Sequence, residues 1–255
     1  MTPEATFLLS FAFAEIHVTP EGPIMHRPRL LAICLFALTA FSTSALAIPI
    51  TPDTFQDGTT MGWGVPGPSP NPPFNSANGG PTGVGDAFLR LIANGNNGPG
   101  GRLVVGNESQ WQGDYLAAGV TSIKMDVNNF SNTDLVLRLL FENLAAAGPP
   151  DDAALTSIGV PVPAGSGWIS VEFDLTSLTT LFGTAAGALG NVEVLRIFHN
   201  PAADFPGPGA GIPAIVAELG VDNIEAVAAV PEPATGALLL LAGAAVARRR
   251  YGRRA

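Results

Sequence analysis

The chain has 255 residues, 47 % of them hydrophobic and only 13 % charged, with 30 glycines and 23 prolines. That is enough for one core-forming domain plus processing segments, and so turn-rich a composition argues against a helical protein. The net charge is −9, but between Ile48 and Val230 five basic side chains face seventeen acidic ones, a balance of −12; such a surface repels phosphate backbones and excludes nucleic acid as a partner class.

Residues 1–24 carry Glu4, Glu15 and Glu21 and no lysine or arginine. An export signal opens with positive charge, so the sequence predicts a mis-assigned start or an extension here, with the functional start at Met25. Arg27 and Arg29 then precede the apolar run from Leu30 to Phe41, and Ser44-Ala45-Leu46-Ala47 supplies small residues in an A-x-A arrangement. Residues 25–47 therefore read as a secretory signal peptide with a helical apolar segment, recognised through Ala45 and Ala47 and cut after Ala47 by signal peptidase. Cys34, the only cysteine, lies inside this segment. The mature domain is expected to lack disulfides, thiolate metal sites and cysteine nucleophiles.

Residues 48–229 read as one domain of half-buried strands. Ile123, Met125 and Val127 alternate with Lys124, Asp126 and Asn128; Leu135, Leu137, Leu139 and Phe141 share one face; Ile169, Val171, Phe173 and Leu175 alternate with Ser170, Glu172 and Asp174. Period-two alternation is the mark of strands with one buried face. Val192 to Phe198 is apolar on both faces, as in a central strand, and 86–93, 102–105 and 221–227 are shorter candidates. Turns are expected at 94–100, 148–152, 161–167 and 206–209, and a long surface loop at 64–85. Ser177 to Leu189 has a helical leaning. Many short strands without β-α alternation predict an all-β fold, an antiparallel two-sheet sandwich or jelly roll.

Thr54-Phe55-Gln56-Asp57-Gly58 with Trp63 near the start, and Gly220-Val221-Asp222-Asn223-Ile224 near the end, give this domain a pattern that resembles the galactose-binding-like jelly rolls of carbohydrate-binding modules. The resemblance implies that the first and last strands lie side by side, and that a structural Ca²⁺ joins them through Asp57 and Asp222. Gln56 departs from the usual glutamate and removes one charged ligand.

Glycan recognition needs a flat aromatic and planar polar groups. Trp111 sits in the amide- and carboxylate-rich stretch from Asn107 to Tyr115, which makes it the leading candidate, with Gln110 and Asp114 as hydroxyl partners. Trp168 opens a strand on the side opposite Ile169 and is the second candidate, on an exposed sheet face. Catalysis is disfavoured. His199 is the only histidine after Ala47 and no Gly-x-Ser-x-Gly elbow occurs, so histidine relays and histidine metal clusters are excluded. Glu108, Asp114, Glu142 and Glu172 have the side-chain type for glycoside hydrolysis, but no spacing selects a pair.

The chain closes with Val230-Pro231-Glu232-Pro233, the apolar run Ala234 to Ala247, and an arginine-rich tail that includes Arg248, Arg249 and Arg250. Proline on both sides of Glu232 keeps that motif extended. The fourteen-residue run would form a helix of about 21 Å, a short span against a hydrocarbon core of roughly 30 Å, stopped by arginines on the cytoplasmic side. This three-part tail, 230–255, resembles the PEP-CTERM sorting signal. The resemblance implies processing by exosortase near Pro231-Glu232-Pro233, transient anchoring in the inner membrane, and release to the cell surface or extracellular matrix. The sequence therefore predicts a non-enzymatic exported protein whose middle domain binds carbohydrate or associates with exopolysaccharide, the alternative being an adhesive module with a protein partner.

Overall fold

The computed structural model of the chain describes residues 51–65, 67–97, 100–202 and 212–229. The segment expected to be a signal peptide, with Ala45 and Ala47, and the tail with Val230, Pro231, Glu232, Pro233 and Arg248–Arg250, lie outside the described residues. Among those described, no helix is long and apolar enough to cross a membrane.

Among the described residues, twelve strands form two antiparallel sheets. In chain order they are β1 (Trp63–Gly64), β2 (Phe74–Ser76), β3 (Phe88–Asn94), β4 (Val104–Asn107), β5 (Val120–Asn129), β6 (Leu135–Asn143), β7 (Asp152–Thr156), β8 (Val160–Val162), β9 (Trp168–Asp174), β10 (Leu178–Phe182), β11 (Val194–His199) and β12 (Val216–Ala228). A short helix, α1 (Ala185–Gly190), precedes β11. The larger sheet runs β1-β4-β11-β6-β7-β10, with β8 also beside β6, and the smaller runs β2-β3-β12-β5-β9. The fold is the all-β sandwich with jelly-roll character that the alternation predicts.

The predicted inward faces are the observed ones. Ile123, Met125 and Val127 of β5, Leu135 to Phe141 of β6 at alternate positions, and Val171 and Phe173 of β9 meet in one core between the sheets. β11 lies between β4 and β6 and is apolar on both faces for a visible reason. Leu195 and Ile197 enter the main core, whereas Phe198 joins Leu140, Leu155 and Ile212 in a second cluster on the sheet's other face.

Three expectations are corrected. Ser177 to Leu189 is helical only in its second half. Leu178–Phe182 is a strand paired with β7, and the helix begins after Thr184, whose hydroxyl accepts the Gly187 N–H at 2.9 Å. The 161–167 turn begins inside β8, where Pro161 is tolerated because this three-residue strand is exposed at that position. The 64–85 loop contains β2, paired with β3, and a hydrogen-bonded turn from Gly79 to Asp86.

Candidate functional site

The segment before β1 is tied to the last strand, as the jelly-roll resemblance implies. Asp53 and Ile224 exchange backbone bonds in both directions, at 2.9 and 3.2 Å. The Asp53 carboxylate is 1 % exposed and accepts the indole N–H groups of Trp63 at 2.7 Å and Trp111 at 2.8 Å. The Gln110 amide reaches the same carboxylate at 3.2 and 3.3 Å. Burial pushes the Tyr115 phenol upward, with Asp53 adding to the effect.

This arrangement corrects the leading sugar candidate. Trp111 is fully buried, and its one polar atom is spent on Asp53, so it presents no face to a ligand. Gln110 turns inward with it. Asp114 Oδ1 accepts the Ala117 N–H at 2.8 Å and caps the turn that follows. The physical reason is that a buried indole N–H needs an acceptor, and the acceptor lies 58 residues away in sequence.

Calcium takes six to eight oxygens, mixing carboxylates with carbonyls. The Asp57 carboxylate closes on Thr59, accepting the backbone N–H at 2.8 Å and the hydroxyl at 2.9 and 2.8 Å. Asp222 is different. Its Oδ1 accepts the Asn223 N–H at 2.8 Å, whereas Oδ2 has no partner in a side chain that is 1 % exposed. Burial pushes the Asp222 pKa up to about 7; the Asn223 N–H opposes this, and Asp86 and Asp126 add to it. Among the described residues no group of three or more acidic, histidine or cysteine side chains is arranged to hold a metal ion. Asp222 keeps a buried, unpaired oxygen of the kind a cation would take.

Trp168 does lie where the alternation puts it, half-buried on the outer face of the five-stranded sheet. Its N–H donates to the Gly79 carbonyl at 2.8 Å, which fixes the ring. Around it stand phenylalanines that sequence reasoning missed. The Phe88 ring meets Trp168 edge-on at 5.2 Å, and Phe130 meets it edge-on at 6.3 Å. Gly220 makes this closure possible. A Cβ there would lie 2.8 Å from Trp168, 3.0 Å from Phe130 and 3.1 Å from Phe88. Glycine inside a strand often marks such a close approach.

The strand registers place five residues in one line across the sheet: Phe74 opposite Arg90, Arg90 opposite Gly220, Gly220 opposite Asn128, and Asn128 opposite Trp168. Neighbouring strands are about 4.8 Å apart, so the line spans roughly 19 Å. Arg90 pairs with Glu218 and sits 5.9 Å from the Phe74 ring and 5.6 Å from the Phe130 ring. Phe74, at one end of the line, and Phe130, beside it, are 41 % and 42 % exposed, so this face offers accessible aromatic surface at more than one point. Beside it a groove of about 360 Å³ is lined by Lys124, Asp126, Ser170, Glu172, Asn223 and Glu225, together with Met125 and Val171.

The carboxylates weighed for glycoside hydrolysis are dispersed. Glu142 is buried against Arg196, and Glu172 accepts the Ser122 hydroxyl at 2.6 Å. His199, at the end of β11, accepts the Val136 N–H on Nδ1 at 2.9 Å, and burial lowers its pKa. It acts as a structural acceptor.

No protein-family model matches the chain, and no curated protein matches it. Solved structures do. A family 11 carbohydrate-binding module from Clostridium thermocellum, in complex with a β-1,3-1,4-mixed-linked tetrasaccharide, is similar at 12 % identity and a TM-score of 0.47, over 71 % of this chain and 96 % of that one. An exo-β-agarase is similar at 10 % identity and a TM-score of 0.48, over 72 % of this chain and 26 % of that one. A putative sugar-binding protein from Bacteroides thetaiotaomicron is similar at 8 % identity and a TM-score of 0.39, over 74 % of this chain and 96 % of that one. These are likenesses of overall architecture at low identity, and the functional reading rests on the residues of this chain.

Proposed function

We propose that this chain is a non-catalytic glycan-binding protein and that the glycan lies on the outer face of the five-stranded sheet. The observation that carries the reading is the line from Phe74 through Arg90 and Asn128 to Trp168. It combines aromatic faces with a guanidinium on one rigid sheet. Aromatic rings cover the C–H faces of sugars, while planar polar groups bond their hydroxyls. A site built on strands also keeps its geometry when empty.

The test is affinity electrophoresis or calorimetry of the full-length protein against a panel of glycans, with Trp168→Ala as the variant. Loss of one anchoring tryptophan is expected to weaken binding roughly tenfold or more, in a domain that stays folded with a melting temperature lowered by the lost ring contacts with Phe88 and Phe130. Saturable glycan binding that survives in Trp168→Ala would move the site elsewhere. A protein partner is the second reading, favoured by Ile92 and Val216, which leave 37 % and 68 % of their surface exposed on the same sheet. It would be supported by saturable capture of a purified surface protein with no glycan binding.

Two further parts of the proposal rest on other residues. Export and exosortase sorting, ending at the cell surface or extracellular matrix, are supported by the sequence patterns of 25–47 and 230–255. A structural Ca²⁺ is supported by the unpaired, buried Oδ2 of Asp222.

A further inference from the structure

We propose that a second site, separate from the aromatic line, takes a hexuronate, a sugar residue whose carboxylate pairs with Arg102. The site is a cavity of about 320 Å³, within the roughly 300–1,000 Å³ usual for small-molecule sites. Leu91 and Ile92 of β3 and Val104 of β4 give it an apolar wall, and Ser69, Asn71, Asn97 and Arg102 supply polar groups. Its rim is closely built: a Cβ at Gly100 would lie 3.0 Å from Pro70 and 3.1 Å from the Ser69 hydroxyl.

The cations of the domain single out Arg102. Five basic side chains lie between Ile48 and Val230. Arg90 pairs with Glu218, Lys124 with Glu172 and Arg196 with Glu142. Arg138 is 4 % exposed and gives its guanidinium to the carbonyls of Thr156, Ser157, Asn200 and Pro201. Arg102 is half-buried, lines the cavity and has no carboxylate partner among the described residues.

This guanidinium is nevertheless held in place. Nε donates to the Ile212 carbonyl at 2.6 Å and Nη1 to the Asn97 carbonyl at 3.0 Å. The segments that carry those carbonyls are tied together, since the Ile215 N–H donates to the Gly101 carbonyl at 3.0 Å and the Asn94 N–H to the Gly100 carbonyl at 2.9 Å. A guanidinium has five N–H groups, so three remain, including both on Nη2. A cation fixed by neutral carbonyls, with part of its fork unused, is preorganised for an anion.

The cavity also narrows the anion. No second basic side chain lines it, and one guanidinium balances one negative charge. A phosphate dianion would leave charge over in a domain already at −12. The planar fork matches the two oxygens of a carboxylate. The Asn71 and Asn97 amides and the Ser69 hydroxyl suit ring hydroxyls, and the side chains of β3 and β4 suit the C–H face of a sugar. A plain hydrocarbon acid would leave those polar groups without partners.

The experiment titrates the full-length protein with glucuronate, glucuronamide and glucose 6-sulfate, read by calorimetry and saturation-transfer NMR. Glucuronate is expected to bind roughly tenfold or more tightly than its amide, because a charge-assisted pair replaces a neutral one. Arg102→Gln should remove that preference. Because this change also removes two carbonyl bonds, Asn97→Asp is the second variant. It keeps the backbone carbonyl, supplies a carboxylate from the protein itself, and should abolish uronate binding at an unchanged melting temperature. A glucuronate tetramer identifies the source: tighter binding than the monomer supports a chain end as ligand, and equal or weaker binding supports the free sugar. Equal binding of glucuronate and glucuronamide, no binding of either, tighter binding of glucose 6-sulfate, or a preference that survives Asn97→Asp overturns the inference. None of these results touches the outer-face reading, which stands or falls with Trp168→Ala and the wider glycan panel.

Discussion

Asp53→Ala removes one carboxylate and strands two buried indoles. Asp53 accepts the Trp63 N–H at 2.7 Å and the Trp111 N–H at 2.8 Å, and both rings are essentially inaccessible to solvent. An unsatisfied buried donor costs about 1–3 kcal/mol, so the pair should cost about 2–6 kcal/mol. The Gln110 amide, in a more open position, can turn to water. For a domain of this size each kcal/mol moves the melting temperature by roughly 2–4 °C, which places the expected drop at about 4–24 °C. Near-ultraviolet circular dichroism is the assay, because Trp63 and Trp111 lie 6.1 Å apart at 51° and supply much of the tryptophan signal. Both indoles donate to the same oxygen, Oδ2, so Asp53→Asn can keep both bonds on its one carbonyl and should lose much less than Asp53→Ala. Removing the donor as well, in Asp53→Ala with Trp111→Phe, should cost less than the sum of the two single changes, because neighbours sharing one bond are not additive. A melting temperature within about 2 °C of wild type for Asp53→Ala, with the tryptophan spectrum unchanged, would refute the claim that this carboxylate holds the two indoles.

Other predictions address the outer face, Asp222 and the C-terminal motif. Gly220→Ala puts a Cβ 2.8 Å from Trp168; the partly exposed Trp168 and Phe130 rings swing aside, so glycan affinity should fall several-fold while stability changes by no more than about 1–2 kcal/mol, read by calorimetry alongside a thermal melt. Asp222 tests calcium against a proton. Its folded pKa of about 7 exceeds the usual aspartate value, so in EDTA its contribution is complete below about pH 4 and is lost as pH rises through about 7, by up to about 4 kcal/mol. Asp222→Asn should flatten that slope, and should also abolish any rise in melting temperature that Ca²⁺ gives the wild type. Glu232→Ala is expected to leave full-length protein in the inner membrane, seen by fractionation and immunoblotting, whereas unchanged release would argue against processing at that motif.

The fold was largely legible because strand alternation is a local signal. In β5 and β9 the inward residues can be read from sequence, since any residue pointing the other way would put a lysine or aspartate into the core. β10 was misread because Leu178-Thr179-Thr180-Leu181 is short enough to fit either period, and pairing with β7 decided it. The site was legible only in part. Trp168 could be placed on an outer face from its parity with Ile169. Phe88, Arg90 and Ile92 had the same parity relative to Leu89 and Leu91, a signal present in the sequence but masked by how apolar the whole strand is.

The sequence by itself determined composition, charge, the sandwich class, the absence of thiol chemistry after Ala47 and the outward parity of Trp168. These depend on residue type and on spacings of a few positions. Tertiary structure alone decided which tryptophan faces solvent. Trp111 looked the better ligand because its neighbours are polar, but Asp53 crosses from the other end of the domain to take its N–H, and Gly220 leaves room for three aromatic rings to gather on the opposite sheet. Contacts between residues far apart in the chain depend on strand order and register, and no local pattern encodes either.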